Sequence, residues 1–464
     1  MSGIRSGRRA FLALGLFMSL AARADLYEAA LAYEKKDFAR SFELYRELAE
    51  LGQSEAQESL AVMYVNGEGI KRDNVLGYAW ATIALEQGAH AAAQGIVDQL
   101  SPHLNDAARS RVVALVAQFG QEALQKTVLP RPRDPLKQTV FPPLKCAMKS
   151  PVNPDNYYPR EAIQQGVSGT VLLEAKIWGD GRAHDPRAEY SIPERVFEAA
   201  GLAVSFATGF RPDVENGAAV PCTMRFKVNF TMQSSRPSDV LKENVDEIRV
   251  RAERGDPRSQ LAYALILENR SDLKPSGEDV VYWYVKAARA GLPVAQFKVG
   301  YYTMNASPAD KDEVKAVFWL DKAAGAGNPD AQIMLSNYYL RDMSNSVDVG
   351  KAVALMEAAS TRSLEARFHL AGVRATYPDA SIRDPKRALE LAGPGFGSYD
   401  ANPVAFEIRA AIHAALGDFA GAQKDQARAV GMAKKFHWNT APQEARLEVY
   451  KANKAWTGDL FAFY

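Results

Sequence analysis

The strongest constraint on this chain is a spacing that recurs without gaps. Trp80 follows Ala56 by 24 residues and precedes Gly88 by 8; Trp283 holds the same distances from Ser259 and Gly291, and Trp319 from Ala295 and Gly327. Trp283 to Trp319 and Gly291 to Gly327 are both 36 residues. Self-similarity at this period marks a stack of helix pairs, in which each unit buries its apolar face against its neighbours. The first helix of a unit starts in "GDPRSQLAYALIL", "GLPVAQFKVGYYTM" or "GNPDAQIMLSNYYL". Pro257 and Pro329 suit a first helical turn, because their missing N–H is unpaired there anyway. Leu261, Ala264, Leu265 and Leu267 repeat at three-and-four spacing, the period of one helix face. The second helix carries the Trp and then a small pair, Ala287-Ala288 or Ala323-Ala324, which lets neighbouring helices approach closely. Gly291 and Gly327 stop it. Trp80, Trp283 and Trp319, fixed in this register, read as repeat core rather than as ligand contacts.

The segment at 54–88 resembles the Sel-one-like repeat (SLR), a relative of the tetratricopeptide repeat. Ala56, Leu60, Met63-Tyr64, Gly67-x-Gly69, Asp73, Ala79-Trp80 and Gly88 carry the resemblance. Residues 254–328 match with "SDLKPSG" and "MNASPAD" in place of the Gly-x-Gly loop. Looser pairs at "SLEARFHLAGVRA" and "NPVAFEIRAAIHAALGDFAGAQKDQARAV" keep the rhythm. The turns Lys36-Asp37-Phe38 and Gly417-Asp418-Phe419 look closer to plain tetratricopeptide units. Residues 101–127 read as a cap, with helix starts at Ser101-Pro102 and Asn105-Asp106. The resemblance implies protein–protein interaction and no chemistry.

The first residues read as an export segment. Arg5, Arg8 and Arg9 precede an apolar run from Phe11 to Ala22, and Ala22-Arg23-Ala24 offers a small-x-small cleavage site before Asp25. The run falls short of the roughly 20 residues a membrane span needs, which favours a cleaved signal over an anchor. Arg8-Arg9-Ala10-Phe11-Leu12 resembles a twin-arginine signal; an ordinary positive n-region is the other reading. Periplasmic localisation follows, with an inner-membrane anchor as the alternative. In that oxidising compartment Cys146 and Cys222, the two cysteines of the chain, are a candidate disulfide; two unrelated buried thiols are the alternative. A net charge of +1 argues against a nucleic-acid partner, which requires a basic face.

The repeats are interrupted. Residues 128–156 are dense in proline and predict an extended linker. Beyond them the period falls to two. Val171, Leu173, Ala175 and Ile177 alternate on one strand, Gly179-Asp180-Gly181 makes a tight turn, and a returning strand holds Pro186, which predicts a bulge or an edge position. Ser191 is placed to cap a helix running through Phe197, Ala200 and Val204. A last strand alternates Met224, Phe226, Val228 and Phe230.

This ββαβ order resembles the C-terminal domain of TonB-family proteins. Tyr158-Pro159, Ala162, Gly169, Val171, Gly179-Asp180-Gly181, Ala199-Ala200, Phe210-x-Pro212, Gly217 and Phe226-x-Val228-x-Phe230 carry that resemblance. It implies a periplasmic domain whose last strand takes up an extended segment of an outer-membrane transporter or receptor. On that strand Arg225, Lys227 and Asn229 face away from the core, as a partner-strand edge or as a solvated face. The chain departs from energy-transducing members in its short apolar segment, its brief spacer and the residues that follow the domain.

No histidine pair stands at ligand spacing, no serine sits in a Gly-x-Ser-x-Gly elbow, and "GPGFGS" at 393–398 lies between helices as a turn. The sequence therefore predicts no catalytic, cofactor or metal residues. Its expected organisation is an export segment at 1–24, repeats at 25–127, a linker at 128–156, the α+β domain at 157–233, repeats at 240–440 and a tail at 441–464. The fold is mainly α, an α-solenoid of helix-hairpin repeats with one small α+β domain inserted. The expected function is a periplasmic adaptor that binds proteins and meets membranes only through partners or an uncleaved N-terminus. Alternatives are a TonB-class energy transducer and a cell-wall-binding protein.

Overall fold

Short polar residues begin the helices. Asp25, Asp37, Asp73, Asp279, Asp312 and Asp384 each accept a hydrogen bond from a backbone N–H two or three residues on, which satisfies donors that have no partner inside the helix. Asn105, Asn328 and Ser363 do the same. The computed structural model describes residues 25–88, 91–130, 146–164, 167–177, 179, 181–192, 196–215, 218–220, 222–230, 237–269, 275, 278–306, 311–340, 346–393, 403–435, 440–458 and 460. The export segment and most of "GPGFGS" lie outside them.

The first array contains α1 (Leu26–Glu34), α2 (Phe38–Glu50), α3 (Ser54–Asn66), α4 (Asn74–Glu86), α5 (Ala91–Leu100), α6 (Asp106–Phe119) and α7 (Gln121–Thr127). Each of α1 to α4 packs on the next, and α5 and α6 close over α4. The α+β region follows, with β1 (Ala147–Ser150), α8 (Arg160–Gln164), β2 (Gly169–Ile177), β3 (Ala183–Ile192), α9 (Glu198–Ala207), β4 (Gly209–Arg211), β5 (Asp213–Glu215), β6 (Ala218–Val220) and β7 (Cys222–Phe230). The second array runs through α10 (Pro237–Glu253), α11 (Pro257–Asn269), α12 (Val280–Arg289), α13 (Pro293–Met304), α14 (Glu313–Gly325) and α15 (Pro329–Tyr339). It continues with α16 (Ser346–Ser360), α17 (Leu364–Thr376), α18 (Pro385–Ala392), α19 (Pro403–Ala415), α20 (Phe419–Lys435) and α21 (Ala441–Lys451). Successive helices again pack on one another throughout.

Each repeat closes in the same way. Gly291 and Gly327 take φ of 91° and 80°, a left-handed conformation that a side chain resists. At the second turn the Gly327 N–H donates to the Ala324 carbonyl and the Asn328 N–H to that of Ala323, both at 2.9 Å. A buried glutamine then ties the next helix back across the turn. Gln57, Gln260, Gln296 and Gln332 donate through Nε2 to the carbonyls of Ala49, Ala252, Ala288 and Ala324, at 3.0, 3.2, 3.3 and 3.0 Å. In every case the acceptor lies eight residues upstream. Trp80, Trp283 and Trp319 are all buried.

The two arrays share one core. Leu51, Leu124, Val128 and Leu129 are buried together with Tyr263, Trp283, Tyr284, Val299 and Trp319. The carbonyls in the last turn of α7 and just beyond it find donors on α14: Lys315 Nζ reaches Gln125 O at 2.7 Å and Leu129 O at 2.9 Å, and Trp319 Nε1 reaches Val128 O at 2.8 Å. Leu26 N–H donates to Ala290 O at 3.2 Å, and Arg289 Nη2 to Gln87 Oε1 at 2.6 Å. The segment expected as linker thus begins inside the solenoid core and takes in β1, which pairs with β4; residues 131–145 lie outside the described residues.

In the inserted region β2 is the central strand of an antiparallel sheet of order β3-β2-β7. The β2–β3 register shifts between Glu174↔Arg187 and Lys176↔His184, the stretch that holds Pro186, so the proline sits in an edge strand at an irregularity. Ser191 is not a helix cap. It pairs opposite Val171 in β3 and is buried, and α9 starts seven residues later; strand pairing outcompetes the local cap. Residues 441–464, expected as a tail, open with α21, which packs on α20 and buries Arg446 and Tyr450.

Candidate partner-binding site

The edge strand β7 is anchored by its alternating hydrophobic residues. Phe226, Val228 and Phe230 are buried in one core with Phe197, Ala200 and Val204. Phe230 stacks on Phe197 at 4.8 Å between ring centroids, and Tyr158 meets both rings edge-on. The Tyr158 hydroxyl donates to Val167 O at 2.8 Å, satisfying its polar end. At the other end of the strand Cys222 is joined to Cys146 in a disulfide with Cα atoms 6.2 Å apart, inside the range such a bridge spans. One side of β7 pairs with β2 from Gly169↔Phe230 to Ile177↔Cys222. Among the described residues no strand pairs with the other side.

The residues expected to face outward behave differently from one another. Lys227 and Asn229 are exposed. Asn229 Oδ1 accepts from Thr170 Oγ1 at 2.9 Å. Arg225 is drawn into the molecule. Its Nε bonds Glu174 of β2 at 2.9 Å, and its Nη1 bonds Glu268 of α11 at 2.5 Å. Glu268 also accepts from Tyr302 Oη at 2.6 Å and from Tyr284 Oη, and lies 3.3 Å from Lys298 Nζ. Its side chain is 4% exposed. Burial opposes ionisation of Glu268, but Lys298 and Arg225, with the two phenols, outweigh it and hold the pKa down to about 2. Burial and the adjoining carboxylate push Tyr302 well above the ordinary phenol range.

This hub lies on the face of the sheet opposite α9, where Thr170 and Leu172 are also buried, and α11 contacts β3. Strand β2 is therefore covered on both faces, which explains its unbroken apolar run Val171-Leu172-Leu173. Sequence reasoning missed this second face, because Glu268, Tyr284, Lys298 and Tyr302 carry no local pattern that ties them to residue 225. The glutamine of each turn was also missed, although it recurs 36 residues apart at 260, 296 and 332.

A further polar cluster, on α19 and α20, is an ion-pair network. His413 lies 2.8 Å from Asp418 and 3.5 Å from Asp425, and Asp425 accepts from both Nε and Nη2 of Arg409. The described residues hold no group of three or more His, Cys, Asp or Glu able to bind a metal, and no helix long and apolar enough to cross a membrane.

A solenoid of helix hairpins with a small α+β insert defines an interaction scaffold, and comparison with known proteins agrees. The Sel1 repeat model matches residues 18–53, 54–88, 257–292, 293–328 and 329–363. The model of the Gram-negative bacterial TonB protein C-terminal matches residues 154–232. The chain carries five Sel1 repeats and one TonB C-terminal domain, modules of protein interaction that mark it as an adaptor. Among solved structures it is similar to a Sel1 repeat protein from Oxalobacter formigenes, at 24% identity and a TM-score of 0.31 over 43% of this chain, and it spans 58% of that protein's length. It is also similar to a protective antigen with an SLR fold from uropathogenic Escherichia coli, at 16% identity and a TM-score of 0.34, covering 91% of this chain and 82% of the antigen. No curated protein matches it.

Proposed function

We propose that this chain is a periplasmic adaptor that binds an extended segment of an outer-membrane protein along β7. The observation that carries the reading is an edge strand, pinned on one side and along its apolar face, whose other side has no strand beside it among the described residues. Such an edge offers backbone donors and acceptors to an incoming strand. The match to the Gram-negative bacterial TonB protein C-terminal over residues 154–232, which include β7, supports this reading. Lys227 and Asn229 lie exposed beside it, where a partner's side chains would pass. The Sel1 arrays supply a second protein-binding surface, and the adaptor carries out no catalysis.

A photo-crosslinking amino acid at Lys227 or Asn229, activated in intact cells, is expected to trap an outer-membrane protein; the same probe at the exposed Val314 of α14 is not. Identical products from all three positions, or none, would remove the strand-addition role. Mass spectrometry of the mature chain is expected to find it starting at Asp25. A retained N-terminus would instead favour a membrane-anchored energy transducer.

A further inference from the structure

We propose that the Arg225–Glu268 contact is a releasable latch, which holds the TonB-type sheet against the Sel1 array and sets where the β7 edge is presented. The contact joins β7 to α11, and α11 lies along the same face of the sheet at β3. A buried ion pair is normally costly to open, because each charge is left alone in a dry environment. Here neither would be. Arg225 keeps Glu174, its cross-strand neighbour within the sheet, at 2.9 Å. Glu268 keeps Lys298 of α13 at 3.3 Å, with the hydroxyls of Tyr302 and Tyr284.

Among the described residues each half thus keeps a counter-charge of its own, and the Arg225–Glu268 ion pair crosses between them. That arrangement separates docking from folding. The sheet and the array can part at this point without unfolding either. An acidic side chain arriving on that face could take up Arg225 in place of Glu268. The latch itself concerns how the sheet is held, so it stands whether or not β7 receives a partner strand.

The test uses the full chain with nitroxide labels at Ile163→Cys on α8 and Val314→Cys on α14, two exposed positions on opposite sides of the contact. The chain's own cysteines are bonded to each other and do not compete for label. Pulsed electron resonance should give a single narrow distance in the labelled parent. Arg225→Gln should lose it in favour of a broad distribution, with unchanged circular dichroism. Arg225→Lys, whose single ammonium cannot hold two carboxylates in a fork, should broaden it as well and guards against misfolding of the first variant. Arg46→Gln, which breaks an exposed ion pair with Glu43 far from the sheet, should keep the parent distance. A parent-like narrow distance in both Arg225 variants overturns the latch, as does a broad distribution in the parent.

Discussion

Two carboxylates in this molecule are withdrawn from water almost equally, and their surroundings drive them in opposite directions. The side chain of Glu268 on α11 is 4% exposed, and that of Glu407 on α19 is 0% exposed. Glu268 has two cations and two phenols, which together hold its pKa well below the usual carboxylate range. Glu407 has one cation, Arg446, with side-chain amides from Gln426 and Gln443; burial prevails and pushes its pKa up. The orphaned atoms follow the same division. Arg446 Nη1, Tyr450 Oη and Trp456 Nε1 are buried near Glu407 without a hydrogen-bond partner, whereas no atom of the Glu268 hub is in that condition. Burial alone does not decide the state of a buried acid; the number of cations set against it does.

The contrast can be broken from either side. Arg446→Leu should be the most damaging change, costing about 3–5 kcal/mol in urea unfolding at neutral pH, because it strands Glu407. Adding Glu407→Leu to it should recover most of that loss, since a buried pair replaced by apolar groups is close to neutral. A double variant no better than the single one would mean that the pair itself, rather than the stranded charge, supplies the stability. Lys298→Met in the other hub should cost less, about 2–3 kcal/mol, because Arg225, Tyr284 and Tyr302 still serve Glu268. An equal or larger loss than in Arg446→Leu would reverse the ranking.

Acid should separate the two sites. The Glu268 pKa is lowered on folding, so its contribution is complete above its unfolded value of 4.5 and is lost as the pH falls toward about 2. The Glu407 pKa is raised, so the folded form takes its proton first and is relieved as the pH falls. Glu268→Gln should therefore flatten the acid-side loss of stability by on the order of 2–3 kcal/mol between neutral pH and pH ~3. Unchanged acid sensitivity in that variant would dissociate the hub from acid unfolding. The smallest effect belongs to the turns. Gly327→Ala should cost about 1 kcal/mol through its positive φ, measurable as a shift in urea midpoint, and no shift would mean the turn relaxes.

What could be read from the sequence was what repeats or alternates locally. The Trp and Gly register follows from helix geometry and near-neighbour packing, and the structure places all three tryptophans in the core. The alternation of Phe226, Val228 and Phe230 likewise marks β7 as one-sided. The hidden part is non-local. Val128 and Leu129 look like the start of a proline-rich spacer until Lys315 and Trp319 donate to their carbonyls. Arg225 looks like a solvated edge residue until a carboxylate 43 positions further on claims it. Ser191 carries a sound helix-cap signal that strand pairing overrides.

The disulfide has a mechanical consequence. Cys146 and Cys222 lie 76 residues apart, one ahead of β1 and the other at the first residue of β7. A pull on β7 is handed through the sulfur bridge to the chain leading back to the Leu129 anchor, and the residues between the two cysteines carry no tension. Stretched between its ends, the oxidised protein should stop short of the reduced one by roughly 260 Å, the contour length the bridge withholds at about 3.4 Å per residue.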